Sequence, residues 1–270
     1  MAEDRQNPQV HNVWQKGLSS KWAGRSLFYY DSTDSTNLRG KELAEGGPCH
    51  GTLVAADEQI AGRGRLGRVW KSPKGTSVSM SLVLQPEFSP QKASMLTLIA
   101  ALSLRKAIVQ ETDLEAEIKW PNDIVYHGKK LCGILTEMSA VPDRIRYVVI
   151  GMGINVNVPF FPEELPHATS LLLELGYKTD RMALMQRSME AFEGYYEAFL
   201  QTEDLSLVKE EYEAHMAGIG SQVQILSANP YYGTCLGISK EGALQVRDQV
   251  GCLRQVQSGE VSVRGIYGYI

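Results

Sequence analysis

The stretch DEQIAGRGRLGRVW, from Asp57 to Trp70, is the part of the chain from which the fold and the function are predicted. Glycines and arginines alternate within it, at Gly62, Arg63, Gly64, Arg65, Gly67 and Arg68. Glycine lets the backbone approach a ligand closely. Arginine carries a permanent charge and a planar fork of donors that fits carboxylate and phosphate. This composition predicts a loop that binds an anion.

The arginine loop, Gly62 to Arg68, has little apolar surface to bury, because Leu66 is its single large apolar side chain. We therefore expect the loop to be disordered in the free protein and ordered over a bound anion. Two other interpretations fit the loop taken alone, since short motifs often match by chance. These are a solvated glycine-rich turn and an RGG-like nucleic-acid segment.

A second stretch, KWPNDIVYHGKKLCGILTEM from Lys119 to Met138, has the pattern of a β-hairpin. Asparagine and aspartate after a proline are turn residues, and two apolar runs follow on either side of His127-Gly128-Lys129. The hairpin carries Lys, Asn and Asp at its ends. A salt-bridged turn alone would explain these residues, but their occurrence together with the arginine loop favours a functional site.

Taken together, these stretches resemble the biotin protein ligases, which make biotinyl-5′-AMP and pass biotin to a lysine of an acceptor domain. The resemblance extends roughly from Leu27 to the C-terminus. The matching motifs occur in the order of the family: Ser35-Thr36-Asn37, Glu58-Gln59, GRGRLGR at 62–68 with Trp70, KWPND at 119–123, KLCGIL at 130–135 and GMGINVN at 151–157. No single motif decides the assignment, whereas the series is specific.

The resemblance implies an α+β fold, with a core like that of class II aminoacyl-tRNA synthetases and a small SH3-like β-barrel after it. We expect an N-terminal arm at 1–26, disordered or loosely attached from Met1 to about Leu18, a catalytic domain at 27–217 and the barrel at 218–270. The patterns predict a mixed, mostly antiparallel sheet with helices on one side. In the tail, short β-like runs separated by turn residues are typical of a small barrel.

Individual elements follow from periodicity and capping. Ser77–Leu84 alternates polar and apolar residues, as a half-buried strand should. A helix is predicted from Ser94 to about Glu111, and the absence of charge before Arg105 indicates that it is buried in the core. Ser35 or Thr36 is a natural N-cap for a helix to about Ala44. Asp180 is expected to cap a helix to about Leu200, whose methionine and aromatic stripe we interpret as core.

The motif GMGINV, from Gly151, begins like a dinucleotide-binding fingerprint. It fails as one, because Val156 stands where the third glycine belongs and the following residues are strand-like. We expect Gly153 to allow close approach of the backbone to a ligand, and Asn155 to face the nucleotide.

The resemblance implies three overlapping sets of site residues. The biotin contacts are Ser35, Thr36, Asn37, Gln59, Gly62, Arg63, Gly64, Arg65 and Lys130. The ATP and adenylate contacts are Arg63, Arg65, Arg68, Trp70, Lys119, Asn122, Lys130, Gly133 and Asn155. The catalytic residues are Lys130, Arg65 and Asp123. Trp70 could instead be a core residue, and Asp123 a turn residue that binds nearby amides.

The implied reaction joins two anions, so the site must supply positive charge and fixed geometry. Lys130 is expected between the biotin carboxylate and the α-phosphate of ATP. Mg²⁺ should bridge phosphate oxygens, held mostly by ATP and water.

Composition limits the alternatives. The net charge is −4 and the pI near 5.8, which argues against non-specific nucleic-acid binding. The four cysteines lack CxxC spacing and suit a reduced cytoplasm. The apolar run 95–104 is shorter than a membrane span, and the polar N-terminus lacks the core of a signal peptide.

The implied partners are biotin, ATP and the biotin carboxyl carrier domain of a carboxylase; sheet edges could also pair in a homodimer.

A lipoate or octanoate transferase on the same fold is an alternative, although we would not expect the arginine loop there. A DNA-binding repressor is another, but we expect no DNA binding, because the residues before Leu27 are too few for a winged helix-turn-helix. A non-enzymatic nucleic-acid binder is disfavoured by the acidic pI.

Overall fold

The computed structural model describes residues 8–226, 229–258 and 262–265. Its helices are α1 Pro8–Gly17, α2 Thr36–Gly46, α3 Met95–Thr112, α4 Leu171–Leu175, α5 Arg181–Thr202 and α6 Lys209–Ala214. Its strands are β1 Leu27–Tyr30, β2 Thr52–Ala56, β3 Ser77–Leu84, β4 Glu117–Lys119, β5 Asp123–Tyr126, β6 Lys129–Val141, β7 Arg144–Asn155, β8 Gln222–Leu226, β9 Tyr231–Ile238, β10 Leu244–Asp248, β11 Leu253–Val256 and β12 Ser262–Gly265.

The core is a seven-stranded sheet in the order β1-β2-β3-β7-β6-β5-β4. Strands β1 and β2 run parallel, and the other neighbours are antiparallel. The prediction of a mixed, mostly antiparallel sheet in an α+β fold is confirmed. The predicted hairpin at 119–138 is formed by β5 and β6, and GMGIN lies within β7, so the rejection of a strand–turn–helix fingerprint was correct.

Helices cover both faces of this sheet, so the expectation of helices on one side is wrong. Helices α3 and α5 pack together over one face and bury Leu82 and Leu84 of β3 in the main core. Helix α2 covers the opposite face, where Val83 and Val149 pack with Ala44. All eight residues of β3 are buried. The predicted half-buried strand is therefore wrong too, because a central strand between two helical layers has no solvent side.

In the part of the expected loosely attached arm that the structure describes, Pro8–Gly17 is a helix packed against α5. Residues 1–7 of that arm lie outside the described residues. Trp14 is fully buried, and its indole Nε1 donates to the carbonyl of Gly24 at 2.7 Å. Gln186 of α5 donates to the carbonyl of Trp14 at 2.9 Å. Glu193, also on α5, accepts from the backbone nitrogens of residues 21–23 at 2.7–3.0 Å. One buried tryptophan and two polar anchors thus hold the segment.

Helices α3 and α5 form the centre of the core, as predicted. Asp180 caps α5 by accepting from the nitrogens of Met182 and Ala183, and Met185, Met189, Phe192, Tyr196 and Phe199 are all buried. The segment containing α3 is long and apolar enough to cross a membrane, but 67% of its most apolar window is buried inside the protein. It is the core helix between the sheet and α5.

The C-terminal strands form a second, antiparallel sheet in the order β11-β10-β9-β8-β12. Its connection to the core is polar as well as apolar: the indole of Trp120 donates to the carbonyl of Gly242 at 3.0 Å. The β-like runs predicted in the tail are strands β8 to β12. The closure of the sheet into an SH3-like barrel stays a prediction.

Candidate active site

One cleft lies over β3, β6 and β7, between the start of α2 and the arginine loop. It contains about 450 Å³ of empty space, part of it open to solvent. The structure brings most of the predicted site residues to its walls: Ser35, Thr36, Asn37, Gln59, Arg63, Gly64, Arg65, Trp70, Asn122, Lys130 and Gly133. Residues separated by almost one hundred positions in sequence therefore share one site.

Polar groups from α2 and the segment after β2 line one end of the cleft. Gln59 Oε1 accepts from the backbone nitrogen of Thr36 at 2.9 Å, and Thr36 Oγ1 lies 3.1 Å from the same oxygen. Ser35 occupies the N-cap position of α2, but its side chain makes no capping hydrogen bond. The helix start therefore offers a serine hydroxyl to the cleft instead of using it as a cap.

The side chain of Asn37 is fully used within the protein. Its Nδ2 donates to the carbonyl of Leu135 at 3.2 Å and to Glu137 Oε2 at 2.7 Å, and its Oδ1 accepts from Ser81 Oγ at 2.6 Å. Lys41 Nζ lies 2.5 Å from Glu137 Oε1. Burial alone would raise the pKa of Glu137, but hydrogen bonds from Lys41 and Asn37 outweigh it, so the pKa is lowered.

At the other end, a chain of four side chains joins the arginine loop to the hairpin. Lys130 Nζ lies 2.7 Å from Asp123 Oδ1. Asn122 Nδ2 donates to the same Asp123 oxygen at 3.1 Å, and Asn122 Oδ1 accepts from Arg65 Nη1 at 2.8 Å. Arg65 also donates to the carbonyl of Ser258 after β11. Two cations, one amide and one carboxylate therefore form a connected array.

The arginine loop is folded as a short hairpin in the structure. Gly64 donates to the carbonyl of Arg68 at 2.7 Å, and Trp70 donates to that of Gly62 at 2.9 Å. A 3-10 turn, Arg65–Gly67, forms its tip, with Leu66 at φ 57° and 73% exposed. The expected disorder of the loop in the free protein stays a prediction.

Trp70 lies with its ring against two glycines of the sheet. A Cβ atom at Gly153 would stand 2.5 Å from Trp70 Cε2, and one at Gly133 would stand 3.1 Å from Cζ3. Lys130 Nζ is 5.7 Å from the ring centroid, within cation–π range. The buried indole Nε1 has no hydrogen-bond partner among the described residues. Trp70 is thus a wall of the cleft and not a residue of the main core.

Some predicted site residues lie outside the lining: Gly62, Arg68, Lys119, Asp123 and Asn155. Asp123 reaches the site through Lys130. Asn155 donates to the carbonyl of Thr169 at 3.0 Å and so anchors residues next to the cleft. The same segment holds the backbone of Lys130: its nitrogen donates to the carbonyl of His167, and its carbonyl accepts from the nitrogen of Thr169. Nothing in the sequence pattern of 167–169 indicates this role.

The lining also contains residues that the predicted site sets omit: Met80, Ile134, Leu135, Gly151, Met152 and Gly153. Most of these lie inside the motifs at 130–135 and 151–157, and the pairing of β6 with β7 brings them together. Strand alternation groups Leu135 with Gly133 and Gly151 with Gly153 on one face of the sheet, but it does not find Ile134 and Met152. Met80 has no such signal, because it lies in β3 outside every motif.

Known proteins that resemble this chain identify its family. Residues 29–155 match the model of the biotin/lipoate A/B protein ligase family, and residues 218–264 match that of the biotin protein ligase C-terminal domain. The chain is 41% identical over 251 residues to the bifunctional ligase/repressor BirA of Bacillus subtilis, covering 92% of this chain and 77% of the relative.

Two further relatives support the assignment. The biotin–[acetyl-CoA-carboxylase] ligase of Paracoccus denitrificans is 34% identical, with 83% of this chain and 94% of that protein covered. The structure of the biotin protein ligase from Aquifex aeolicus in complex with biotin and ATP matches with a TM-score of 0.79 at 30% identity, covering 89% of this chain and 99% of the other. The chain therefore belongs to the biotin protein ligase family and is a biotin ligase.

Proposed function

We propose that this enzyme activates biotin with ATP to biotinyl-5′-AMP and then transfers biotin to a lysine of a biotin carboxyl carrier domain. One observation carries the proposal. Three cationic side chains, Arg63, Arg65 and Lys130, line a cleft whose one end is polar and uncharged and whose other end contains Trp70. Cations grouped in this way can bind a carboxylate and a phosphate together.

In the first half-reaction, a carboxylate oxygen of biotin attacks the α-phosphorus of ATP, and pyrophosphate leaves with the electron pair of the broken P–O bond. Both reactants are anions, so fixed cations lower the barrier by stabilising the charge of the transition state. Lys130 contributes this charge next to Trp70, and the Arg63 and Arg65 guanidinium groups can bind carboxylate or phosphate through two parallel hydrogen bonds.

The ureido ring of biotin belongs at the polar end of the cleft, near Ser35, Thr36 and Gln59. A ring that offers N–H donors and a carbonyl acceptor can satisfy buried hydroxyl and amide groups there. Ligands without these groups leave the polar groups of the pocket without hydrogen-bond partners and therefore bind weakly. The adenine belongs against Trp70. The tryptophan ring can lie flat on the sheet there because Gly133 and Gly153 have no side chains.

Mg²⁺ bound with ATP would neutralise charge on the phosphate oxygens. The described residues contain no group of three or more His, Cys, Asp or Glu side chains placed to hold a metal. We propose that the ion is held mostly by ATP and water.

In the second half-reaction, the neutral amine of the acceptor lysine attacks the carbonyl carbon of the anhydride. An amide bond forms, the acyl C–O bond to AMP breaks, and the amine loses a proton. Asp123 is our candidate for orienting the amine or accepting that proton. The Asn122 and Lys130 contacts hold its carboxylate at the edge of the cleft. We assign this chemistry to a catalytic unit at 27–217, with a C-terminal unit at 218–270.

Biotin-dependent exchange of pyrophosphate into ATP tests the first half-reaction, and the same assay with lipoate tests the related alternative. We expect exchange with biotin and none with lipoate. Exchange driven by lipoate but not by biotin would overturn the proposal.

A further inference from the structure

We propose that Glu137, on β6, is a positioning residue that sets the hydrogen-bond polarity of the biotin pocket through Asn37, Ser81 and Thr36. The inference rests on the proposed binding of biotin at the polar end of the cleft. Glu137 is not itself part of the cleft lining. It acts through a relay of three buried side chains, of which Ser81 is fully buried and Thr36 and Asn37 are 3% and 5% exposed.

The first link fixes the orientation of the Asn37 amide. An ionised carboxylate and a backbone carbonyl can only accept hydrogen bonds. Glu137 Oε2 lies 2.7 Å and the carbonyl of Leu135 3.2 Å from Asn37 Nδ2. Both acceptors therefore demand the NH₂ group of Asn37, and its Oδ1 must point the other way, towards Ser81. Lys41, which is paired with the second Glu137 oxygen, favours the ionised state that this link needs.

The second link fixes the hydroxyl hydrogens. Asn37 Oδ1 carries no hydrogen, so the 2.6 Å contact with Ser81 Oγ uses the single hydrogen of Ser81. Ser81 Oγ also lies 2.7 Å from Thr36 Oγ1, and this contact must then use the hydrogen of Thr36. Thr36 Oγ1 could also donate to Gln59 Oε1, 3.1 Å away. This contact is the longest of the three, and because Thr36 has a single hydrogen, we infer that the shorter contact with Ser81 takes it.

The relay leaves the pocket with a defined pattern of donors and acceptors. Thr36 turns its hydrogen inward to Ser81 and keeps a lone pair for a ligand. Gln59 Oε1 is held by the backbone nitrogen of Thr36, so Gln59 presents its NH₂ group as a donor. One acceptor next to one donor complements the N–H and the C=O of a cyclic urea. If the Asn37 amide turned over, Ser81 and Thr36 would lose this order.

The test measures dissociation constants of the whole protein by calorimetry for biotin and for biotin methylated on a ureido nitrogen. Glu137→Ala and Ser81→Ala should each weaken biotin binding about tenfold, as expected when buried polar groups lose their partners. The preference for biotin over the methylated analogue should shrink, because the acceptor at Thr36 is no longer fixed. Glu137→Gln should keep most of the affinity, since its amide oxygen can still accept from Asn37.

The double variant Glu137→Ala/Ser81→Ala separates a relay from two independent effects. Losses of binding free energy within one relay should not add up. The double variant should therefore bind biotin about as tightly as the weaker-binding of the two single variants. Ser79→Ala is the matched control: Ser79 is a buried serine on the same strand, but its hydroxyl donates to Ser72. It should leave the affinity for biotin unchanged.

Several results would overturn the inference: additive losses in the double variant, wild-type affinity in Glu137→Ala, or an unchanged preference against the methylated analogue. Melting curves and circular dichroism would show which variants are folded. If the alanine variants unfold, Glu137→Gln keeps the inference falsifiable, because a loss of biotin affinity of about tenfold in this folded variant would also contradict it. Failure of the wild-type protein to bind biotin at all would instead overturn the proposed function on which the relay rests.

Discussion

Lys130 Nζ lies 2.7 Å from Asp123 Oδ1, so the cation expected to act on two anionic substrates already has an anionic partner within the protein. The hairpin of β5 and β6 creates this pair: its register places Asp123 opposite Gly133 and Lys130 opposite Val125. Glycine at 133 leaves space for the lysine side chain, whose Cε lies 3.1 Å from the position of a Cβ there. The carboxylate thus fixes where the ammonium group stands.

Lys130→Ala should retain the fold and most biotin binding but lose adenylate formation. The side chain is expected to act at the transition state, and removal of such a charge costs roughly 3 kcal/mol or more, which is more than a hundredfold in rate. Biotin-dependent pyrophosphate exchange measures the loss. The matched control is Lys129→Ala, because Lys129 is the exposed neighbour on the same strand; it should exchange normally. Near-normal exchange by Lys130→Ala would refute the assignment.

Gly153→Ala should raise the KM for ATP more than that for biotin. A Cβ at this position would lie 2.5 Å from the Trp70 ring, so the ring must move from its place on the sheet. Steady-state kinetics with each substrate varied in turn gives the two constants. Gly46→Ala is the control, because a Cβ there meets nothing within 4 Å. Equal changes in both KM values would show that the substitution disturbs the cleft as a whole.

Ligand binding should protect the arginine loop from trypsin. The exposed loop has one large apolar side chain to bury, while ordering its backbone costs about 1–2 kcal/mol per residue. Charge-assisted bonds from Arg63 and Arg65 to a bound carboxylate or phosphate offset that cost. Mass spectrometry should show slower cleavage after Arg63, Arg65 and Arg68 with saturating biotin, and unchanged cleavage after the exposed Lys129. Cleavage after the three arginines that is as fast with biotin as without it would count against the prediction.

Arg65→Gly should release biotinyl-5′-AMP into solution. Arg65 anchors the loop to Asn122 and to the carbonyl of Ser258, and glycine removes both contacts. A loosened loop admits water and lets the anhydride escape. Gel filtration after the reaction should show less adenylate bound to this variant than to the wild type, and more adenylate free in solution. Retention as tight as in the wild type would contradict this role of Arg65.

Glu193→Gln should destabilise the protein at pH 7 and less so in acid. Burial alone would raise the pKa of Glu193, but hydrogen bonds from the backbone nitrogens of residues 21–23 outweigh it and lower the pKa. A lowered folded pKa means that the stabilisation is present above the unfolded value, near 4.3, and is lost as the pH falls through the folded pKa. Urea unfolding should give a loss of about 1.5–3 kcal/mol at pH 7, which shrinks below about pH 4. A loss independent of pH would contradict it.

The sequence predicted the parts of the fold that depend on local chemistry. Periodicity found α3 and α5, capping by Asp180 found the start of α5, and turn residues found the hairpin at 119–138. It could not predict which faces of the sheet are covered. The alternation in Ser77–Leu84 is equally compatible with a solvent-exposed face and with a face under α2. The N-terminal helix was missed although Pro8 at its first position and the spacing of Val10 and Trp14 favour a helix, because the segment is short and mostly polar.

The sequence likewise predicted part of the site and missed the rest. Charged and glycine-rich motifs identified the cations and amides that the cleft brings together, because function needs those residue types at those positions. The motifs could not reveal contacts made by the fold, such as the pairing of Lys130 with Asp123 or the anchoring of Arg65 on Ser258. The role of Glu137 was missed for the same reason, since its partner Asn37 is one hundred positions away.

The most direct test of the central claim is the mass of a biotin carboxyl carrier domain after incubation with this protein, biotin and ATP with Mg²⁺. The account predicts that the acceptor gains one biotinyl group on a single lysine, and that none is gained when ATP or biotin is omitted or when Lys130→Ala replaces the wild type. An acceptor of unchanged mass with the folded wild-type protein, or one modified only when lipoate replaces biotin, would contradict it.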